Sequence, residues 1–173
     1  MRVLCIGDLH LSHTRLDLCK KVLNWIELVA EQEGVDALVY LGDEHDSHSV
    51  IRAECNSIWA SHLTKQLKLQ IPLYWLLGNH AQFKPTDPTY NALQPFLGWS
   101  SRYLHPIISP CEIDGFGFVP YLNSTSWKES VENFKSKIIF THNTFVGADY
   151  GFKISTDGVE LSEVSQNFII SGH

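Results

Sequence analysis

The chain has no apolar run near the roughly 18 residues that a membrane-spanning helix needs. The apolar part of its N-terminal stretch, Val3-Leu4-Cys5-Ile6, is too short for a secretory signal, and Asp8 follows almost at once. Its four cysteines, Cys5, Cys19, Cys55 and Cys111, show no paired spacing. A reduced, cytoplasmic chain without disulfides and without a membrane partner is therefore expected. Positive charge is scarce. Thirteen Lys and Arg face 19 Asp and Glu, a formal charge of −6, and Lys20, Lys21, Lys65, Lys68, Lys135 and Lys137 form no basic run. That balance argues against broad, non-specific nucleic-acid binding, although bound divalent cations would reverse the sign locally. Repeats, low-complexity tracts and linkers are also missing. With 173 residues and 44% hydrophobic content, one globular domain over residues 1–173 is expected.

Histidine is abundant, with nine residues, and four of them stand near the ends of apolar runs. Ala37-Leu38-Val39-Tyr40-Leu41 reads as a buried strand, and Gly42-Asp43-Glu44-His45-Asp46 follows it directly. The same pattern recurs in Ile6-Gly7-Asp8-Leu9-His10, Leu77-Gly78-Asn79-His80, Phe140-Thr141-His142 and Ser171-Gly172-His173. Ligands of open α/β sheets bind at the C-terminal ends of the strands. Five strands ending in Asp, Asn or His would therefore bring Asp8, His10, Asp43, Asn79, His142 and His173 to one rim.

The segments between these ends alternate in kind. Thr14-x-x-Asp17 fits a capping box, opening a helix with Leu16, Cys19, Val22, Leu23 and Ile26 on one face and Gly34 as its stop. A second amphipathic helix is expected over residues 50–67, with Ile58, Trp59, Leu63 and Leu67 inward. The order up to Asn79 is βαβαβ, which calls for a parallel sheet. Beyond it the pattern predicts a polar loop at 84–88, a short helix at 90–96, and strands at 103–109, 111–113 and 116–120. Asp114-Gly115 is the tight turn of a hairpin. Ser126-x-x-Glu129 is another capping box, opening a helix to about residue 134. Strands at 137–141 and 168–171, a long loop at 143–158 and a short helix at 160–165 complete the chain.

The donor set mixes carboxylate, amide and imidazole with no thiolate, which suits Mn²⁺, Fe²⁺, Zn²⁺ or Mg²⁺ and disfavours a structural zinc site. Asp43 has two oxygens and could bridge a pair of ions. Such a pair would act on both oxygens of a phosphate ester during in-line displacement. His80, beside Asn79, is placed to protonate the leaving oxygen or to stabilise transition-state charge.

Taken together, Gly7-Asp8-x-His10, Gly42-Asp43-x-x-Asp46, Gly78-Asn79-His80, Thr141-His142 and Gly172-His173 resemble the motif set of the calcineurin-like metallophosphoesterases. The resemblance implies a four-layer α/β/β/α sandwich with two mixed sheets and two divalent ions, Mn²⁺ first among them. It implies Asp8, His10 and Asp43 as ligands of one ion, Asp43, Asn79, His142 and His173 as ligands of the other, and His80 as the catalytic, non-ligand histidine. The Asp8-Leu9-His10-Leu11 opening and Phe118-Val119-Pro120-Tyr121 are similar to SbcD-type DNA repair nucleases and their phage counterparts. That likeness implies a nuclease acting on DNA, with an ATPase partner subunit. The alternatives are a phosphatase, a cyclic-nucleotide or dinucleotide hydrolase, and a scaffold without activity.

Two positions depart from the family pattern. Ala81 stands where an acidic residue usually follows Gly-Asn-His, which should leave His80 less firmly oriented. The last block, Gly-His-x-His in the family, stops here at His173, so the catalytic domain is expected to be C-terminally truncated. Other residues have plainer readings. Asp46 should fix its loop, His13, His45 and His48 should be solvated loop residues, and His62 and His105 should be surface or satisfied structural residues. The five tryptophans should serve packing rather than base stacking.

Overall fold

The computed structural model describes residues 1–48, 50–84, 87–122, 126–165 and 168–173. Strands β1 (Val3–Ile6), β2 (Ala37–Tyr40), β3 (Leu73–Leu76) and β6 (Leu104–Ile107) form one sheet in that order. All three of its pairings are parallel. A second sheet runs β10 (Phe168–Ser171), β9 (Ile138–Thr141), β8 (Phe116–Val119) and β7 (Cys111–Ile113). Here only the β7–β8 hairpin is antiparallel. The expectation of two mixed sheets is thus corrected. Among the described residues the first is wholly parallel, because the antiparallel hairpins lie outside it, one in the second sheet and one in a separate two-stranded sheet between β3 and β6 in the chain.

Strand alternation sorts the core into layers. Leu38, Tyr40, Leu73, Trp75 and Leu77 pack against the helices α1 (Leu16–Glu33) and α2 (Ala53–Leu69). Their neighbours Val39, Leu41, Tyr74 and Leu76 point the other way, onto Phe116, Phe118 and Phe140 of the second sheet. Val119 and Ile139 turn outward again to Trp127 and Val131 of α3 (Trp127–Val131). These contacts give the α/β/β/α sandwich, with a strand buried on both faces wherever it lies between two layers. Trp59, Trp75 and Trp127 are buried in packing as expected, whereas Trp25 and Trp99 are largely exposed. Among the described residues no helix is long and apolar enough to cross a membrane.

Several local expectations hold. Gly34 ends α1 in the left-handed conformation at φ 57° and donates to the Ala30 and Glu31 carbonyls. Asp114 and Gly115 turn the β7–β8 hairpin with φ of 52° and 83°, and the Ser126–Glu129 capping box forms in full. Others do not hold. The Thr14–Asp17 box is absent: a 3₁₀ turn at His13–Arg15 precedes α1, and the Thr14 hydroxyl pairs with that of Ser12 at 3.1 Å. The second helix starts at Ala53 and runs to Leu69. The loop expected at 84–88 and the helix at 90–96 are replaced by an antiparallel hairpin, β4 (Gln82–Lys84) with β5 (Asp87–Asn91), then a 3₁₀ helix at Gln94–Trp99. Residues 85–86 of that loop lie outside the described residues. Pro95 explains the shift, since it is tolerated in a first helical turn but not inside an α-helix.

The hydroxyl of core residue Tyr40 donates to His62 Nε2 at 2.6 Å, while His62 Nδ1–H donates to Glu27 at 2.8 Å. Burial pushes His62 below its usual pKa, against the opposing effect of Glu27. A histidine depressed in the fold contributes stability that is fully present above the unfolded pKa of about 6.5 and is lost as pH falls toward the folded value. In EDTA, the wild type should therefore lose stability between pH 7 and pH 5 more steeply than His62→Gln, by up to about 1.4 kcal/mol per pH unit. Urea unfolding across that range measures the difference. Identical slopes would show that His62 keeps its ordinary pKa in the fold.

Candidate metal centre

The polar groups meet because β1, β2 and β3 end side by side, and β9 and β10 end on the facing sheet. Loop 8–12 is zipped to loop 43–46 by His10 N–H to the Asp43 carbonyl (3.0 Å) and Leu11 N–H to the Glu44 carbonyl (2.8 Å). Asp8, His10 and Asp43 all have positive φ, at 44°, 44° and 51°. Such backbone is sparsely populated by non-glycine residues and clusters where function over-determines it.

Two glycines allow the close approach. A Cβ on Gly42, at φ 115°, would lie 2.5 Å from His142 Nδ1, and a Cβ on Gly78 would lie 2.1 Å from Asp43 Oδ1. Neither position has room for a side chain while Asp43 and His142 stay where they are.

Potential ligand atoms of Asp8, His10 and Asp43 lie within 4.8 Å of one another, and those of Asp43, His142 and His173 do the same. Asp43 belongs to both groups and is 2% exposed. Its carboxylate accepts the His80 N–H at 2.8 Å and lies 3.1 Å from His142 Nε2. Burial would raise its pKa, but the hydrogen bond and charge of His142, with His80, hold it below the ordinary value. Asn79 Oδ1 stands 3.0 Å from His142 Nε2 and so joins the second group. The His173 N–H donates to Asp8 Oδ2 at 3.1 Å, tying the last residue to the first loop.

This geometry fits a pair of divalent cations. His142 Nδ1–H donates to the Leu41 carbonyl at 2.7 Å, so Nε2 turns its lone pair toward two oxygens. That arrangement repels unless positive charge lies between them. The same demand raises the His142 pKa: burial opposes protonation, but Asp43 and Asp8 outweigh it. His10 Nδ1 is buried and has no hydrogen-bond partner, as suits an atom reserved for a cation.

His80 belongs to neither group of ligand atoms. Its Nδ1–H donates to the Asp46 carbonyl at 2.9 Å, and its ring is stacked on His48 with centroids 3.8 Å apart. The orientation that an acidic residue at position 81 would have supplied comes instead from a main-chain carbonyl and a neighbouring ring. Ala81 packs into the core at 5% exposure.

One loop histidine differs from expectation. His45 is 2% exposed, because its residue bridges to Leu11, itself buried. Burial lowers its pKa to about 4, and neither ring nitrogen has a hydrogen-bond partner among the described residues. His48 is exposed, as expected, and its ring also stacks on that of His80. Glu44 is also buried; it accepts from Trp75 Nε1 at 2.9 Å, and burial raises its carboxyl pKa to about 7. Glu44 was legible as an acid of the motif loop, but nothing in its spacing pointed to Trp75.

Cavities adjoin the centre at two places. One of about 200 Å³ opens beside His80 and the β4–β5 hairpin. Another of about 400 Å³ opens beside His173, Tyr121 and the 143–158 segment. That segment is ordered by its own bonds, among them Val146 N–H to the Val159 carbonyl at 3.0 Å and Gly147 N–H to the Ser155 carbonyl at 2.9 Å.

The sequence matches the family model of the calcineurin-like phosphoesterases over residues 1–173. Among curated proteins it is similar to UDP-2,3-diacylglucosamine hydrolases from Shewanella sp. (strain W3-18-1) and Shewanella putrefaciens (strain CN-32 / ATCC BAA-453). Each is 35% identical over 82 residues, which is 46% of this chain and 32% of the relative. The matched stretch thus spans about a third of the length of these relatives. With its ligand groups on facing strand ends and the family match running from the first residue to the last, the chain belongs to the calcineurin-like phosphoesterase family.

Proposed function

We propose that the chain hydrolyses phosphodiesters with two divalent ions, Mn²⁺ first among them, and that its substrate is a nucleotide diester such as DNA. The observation that carries the diester reading is the pair of cavities, one beside His80 and one beside His173. A diester has a substituent on each side of phosphorus, whereas a monoester would need only one cavity. Neither lining contains Lys or Arg, so a short or single-stranded substrate suits the site better than a duplex held by its phosphates. A second reading, cleavage of a nucleotide sugar, is favoured by the likeness to the UDP-2,3-diacylglucosamine hydrolases.

Asp8, His10 and Asp43 would hold one ion, and Asp43, Asn79, His142 and His173 the other. When bound, the ions supply Lewis acidity at the phosphate and a nucleophile at neutral pH. The chain's own part is orientation. His142 is fixed through Nδ1 on the Leu41 carbonyl, so its Nε2 is the ligating atom. His80 is fixed through Nδ1 on the Asp46 carbonyl. Its Nε2 is left for the substrate, and in the imidazolium form the Nε2 proton passes to the leaving oxygen.

The purified protein should hydrolyse bis(p-nitrophenyl) phosphate with added Mn²⁺, do so faster than p-nitrophenyl phosphate, and lose the activity in EDTA. No hydrolysis above buffer in the Mn²⁺-loaded protein would leave the scaffold reading in its place. His80→Ala should lower turnover by about 10²–10⁴-fold with metal content nearly unchanged. Gly78→Ala and Asp43→Ala should instead lose metal, the first because its Cβ meets Asp43 Oδ1. Elemental analysis of each variant, alongside circular dichroism for the fold, separates these effects. Metal loss in His80→Ala would contradict its non-ligand role.

A further inference from the structure

The cavity beside His80 is walled by the β4–β5 hairpin, and three large apolar residues there stay out of the core. Tyr90 is 69% exposed, Phe83 50% and Ile51 41%. The two rings meet edge to face with centroids 6.5 Å apart, so they form a corner rather than a flat patch. The hairpin is tied to the loop that carries His80. Ala92 N–H donates to the Ala81 carbonyl at 2.7 Å, and Gln82 Nε2 donates to the Gly78 carbonyl at 3.3 Å. The aromatic corner is therefore held in register with His80 and the metal centre. Gln82 lines the cavity at 1% exposure, and its Oε1 has no hydrogen-bond partner among the described residues.

We propose that this cavity is the leaving-group subsite and that it takes a nucleobase, stacked on the Tyr90–Phe83 corner while His80 serves the oxygen that departs with it. The assignment rests on the phosphodiester reading above, which places His80 on the leaving-group side. About 200 Å³ is below the 300–1,000 Å³ of sites for drug-sized ligands, so one ring system fits where a whole nucleotide or an acyl chain does not. No Lys or Arg lines it, and Lys84 Nζ stands over the Phe83 ring, 5.5 Å from its centroid. Aromatic walls with the Gln82 amide oxygen beside them suit a flat group with polar edges, while the Asn91 amide is engaged by the Pro88 carbonyl and the Leu93 N–H.

Two measurements decide the matter. Adenosine, compared with ribose, is titrated into the wild type, Tyr90→Ala and Tyr90→Phe and followed by calorimetry or NMR. The nucleoside should bind the wild type, bind Tyr90→Ala about 10-fold more weakly, and bind Tyr90→Phe nearly as well as the wild type. Absence of adenosine binding, or equal binding by Tyr90→Ala, overturns the proposal whether or not the protein is an active phosphodiesterase. In the Mn²⁺-loaded protein, kcat/KM for dithymidine phosphate is compared with that for the analogue lacking the base on the leaving nucleoside. The base-bearing compound should be preferred about 10-fold by the wild type, and the preference should vanish in Tyr90→Ala. Equal rates in the wild type overturn the subsite while hydrolysis of bis(p-nitrophenyl) phosphate still upholds the phosphodiester reading. Parallel assays with UDP-glucose assign the source of the base, a polynucleotide if only the dinucleotide is cleaved and a nucleotide sugar if the reverse holds.

Discussion

Asp43 is a carboxylate at 2% exposure, and a buried negative charge must be compensated from nearby or abandoned. Much of the surrounding geometry follows from that requirement. The His80 N–H and the His142 ring approach the carboxylate directly. Gly42 and Gly78 remove the side chains that would keep these groups apart. The parallel β1-β2-β3 order places the strand ends of Asp8 and Asn79 on either side of it. Helices, sheets and turns elsewhere in the chain serve mainly to hold that arrangement rigid.

With Ala81 after Asn79-His80, the orientation of His80 rests on other groups. A carboxylate would hold an imidazole N–H strongly and would favour its charged form. The Asp46 carbonyl holds the His80 Nδ1–H at 2.9 Å and fixes the ring. Stacking against His48 restricts rotation of the ring without adding formal charge. Loop 43–48 therefore does two tasks, since it supplies the shared carboxylate at one end and steadies His80 at the other.

The strand ends were legible because each combines a short apolar run, a break and a ligand-type residue, and because their order along the chain is itself informative. A parallel sheet was legible from the βαβαβ order and a hairpin of a second sheet from the Asp114-Gly115 turn, while their stacking in four layers came only from the family resemblance. What escaped was set by contacts distant in sequence. Thr14 has the spacing of a cap, but the 3₁₀ turn at His13–Arg15 occupies that place. The β4–β5 hairpin joins residues whose local polarity suggests a loop, and only pairing across it reveals strands. His45 and His48 sit in a polar stretch that reads as solvated. The Leu11 bridge buries the first, whereas the second stays exposed and only its stacking on His80 went unread.

The bond from His142 to the Leu41 carbonyl crosses from the second sheet to the first. A ligand group assembled from both sheets makes ion binding and sheet-on-sheet packing parts of one equilibrium. Any shear between the layers would pull His142 and His173 away from Asp43, and an ion held by all three would resist that shear. With the proposed ligands, the interlayer core of Tyr74, Phe116, Phe118 and Phe140 would thus be an affinity determinant at a distance. Loosening it would weaken the grip on metal without touching a single ligand, and metal concentration would in turn set how firmly the two halves of the sandwich stay together.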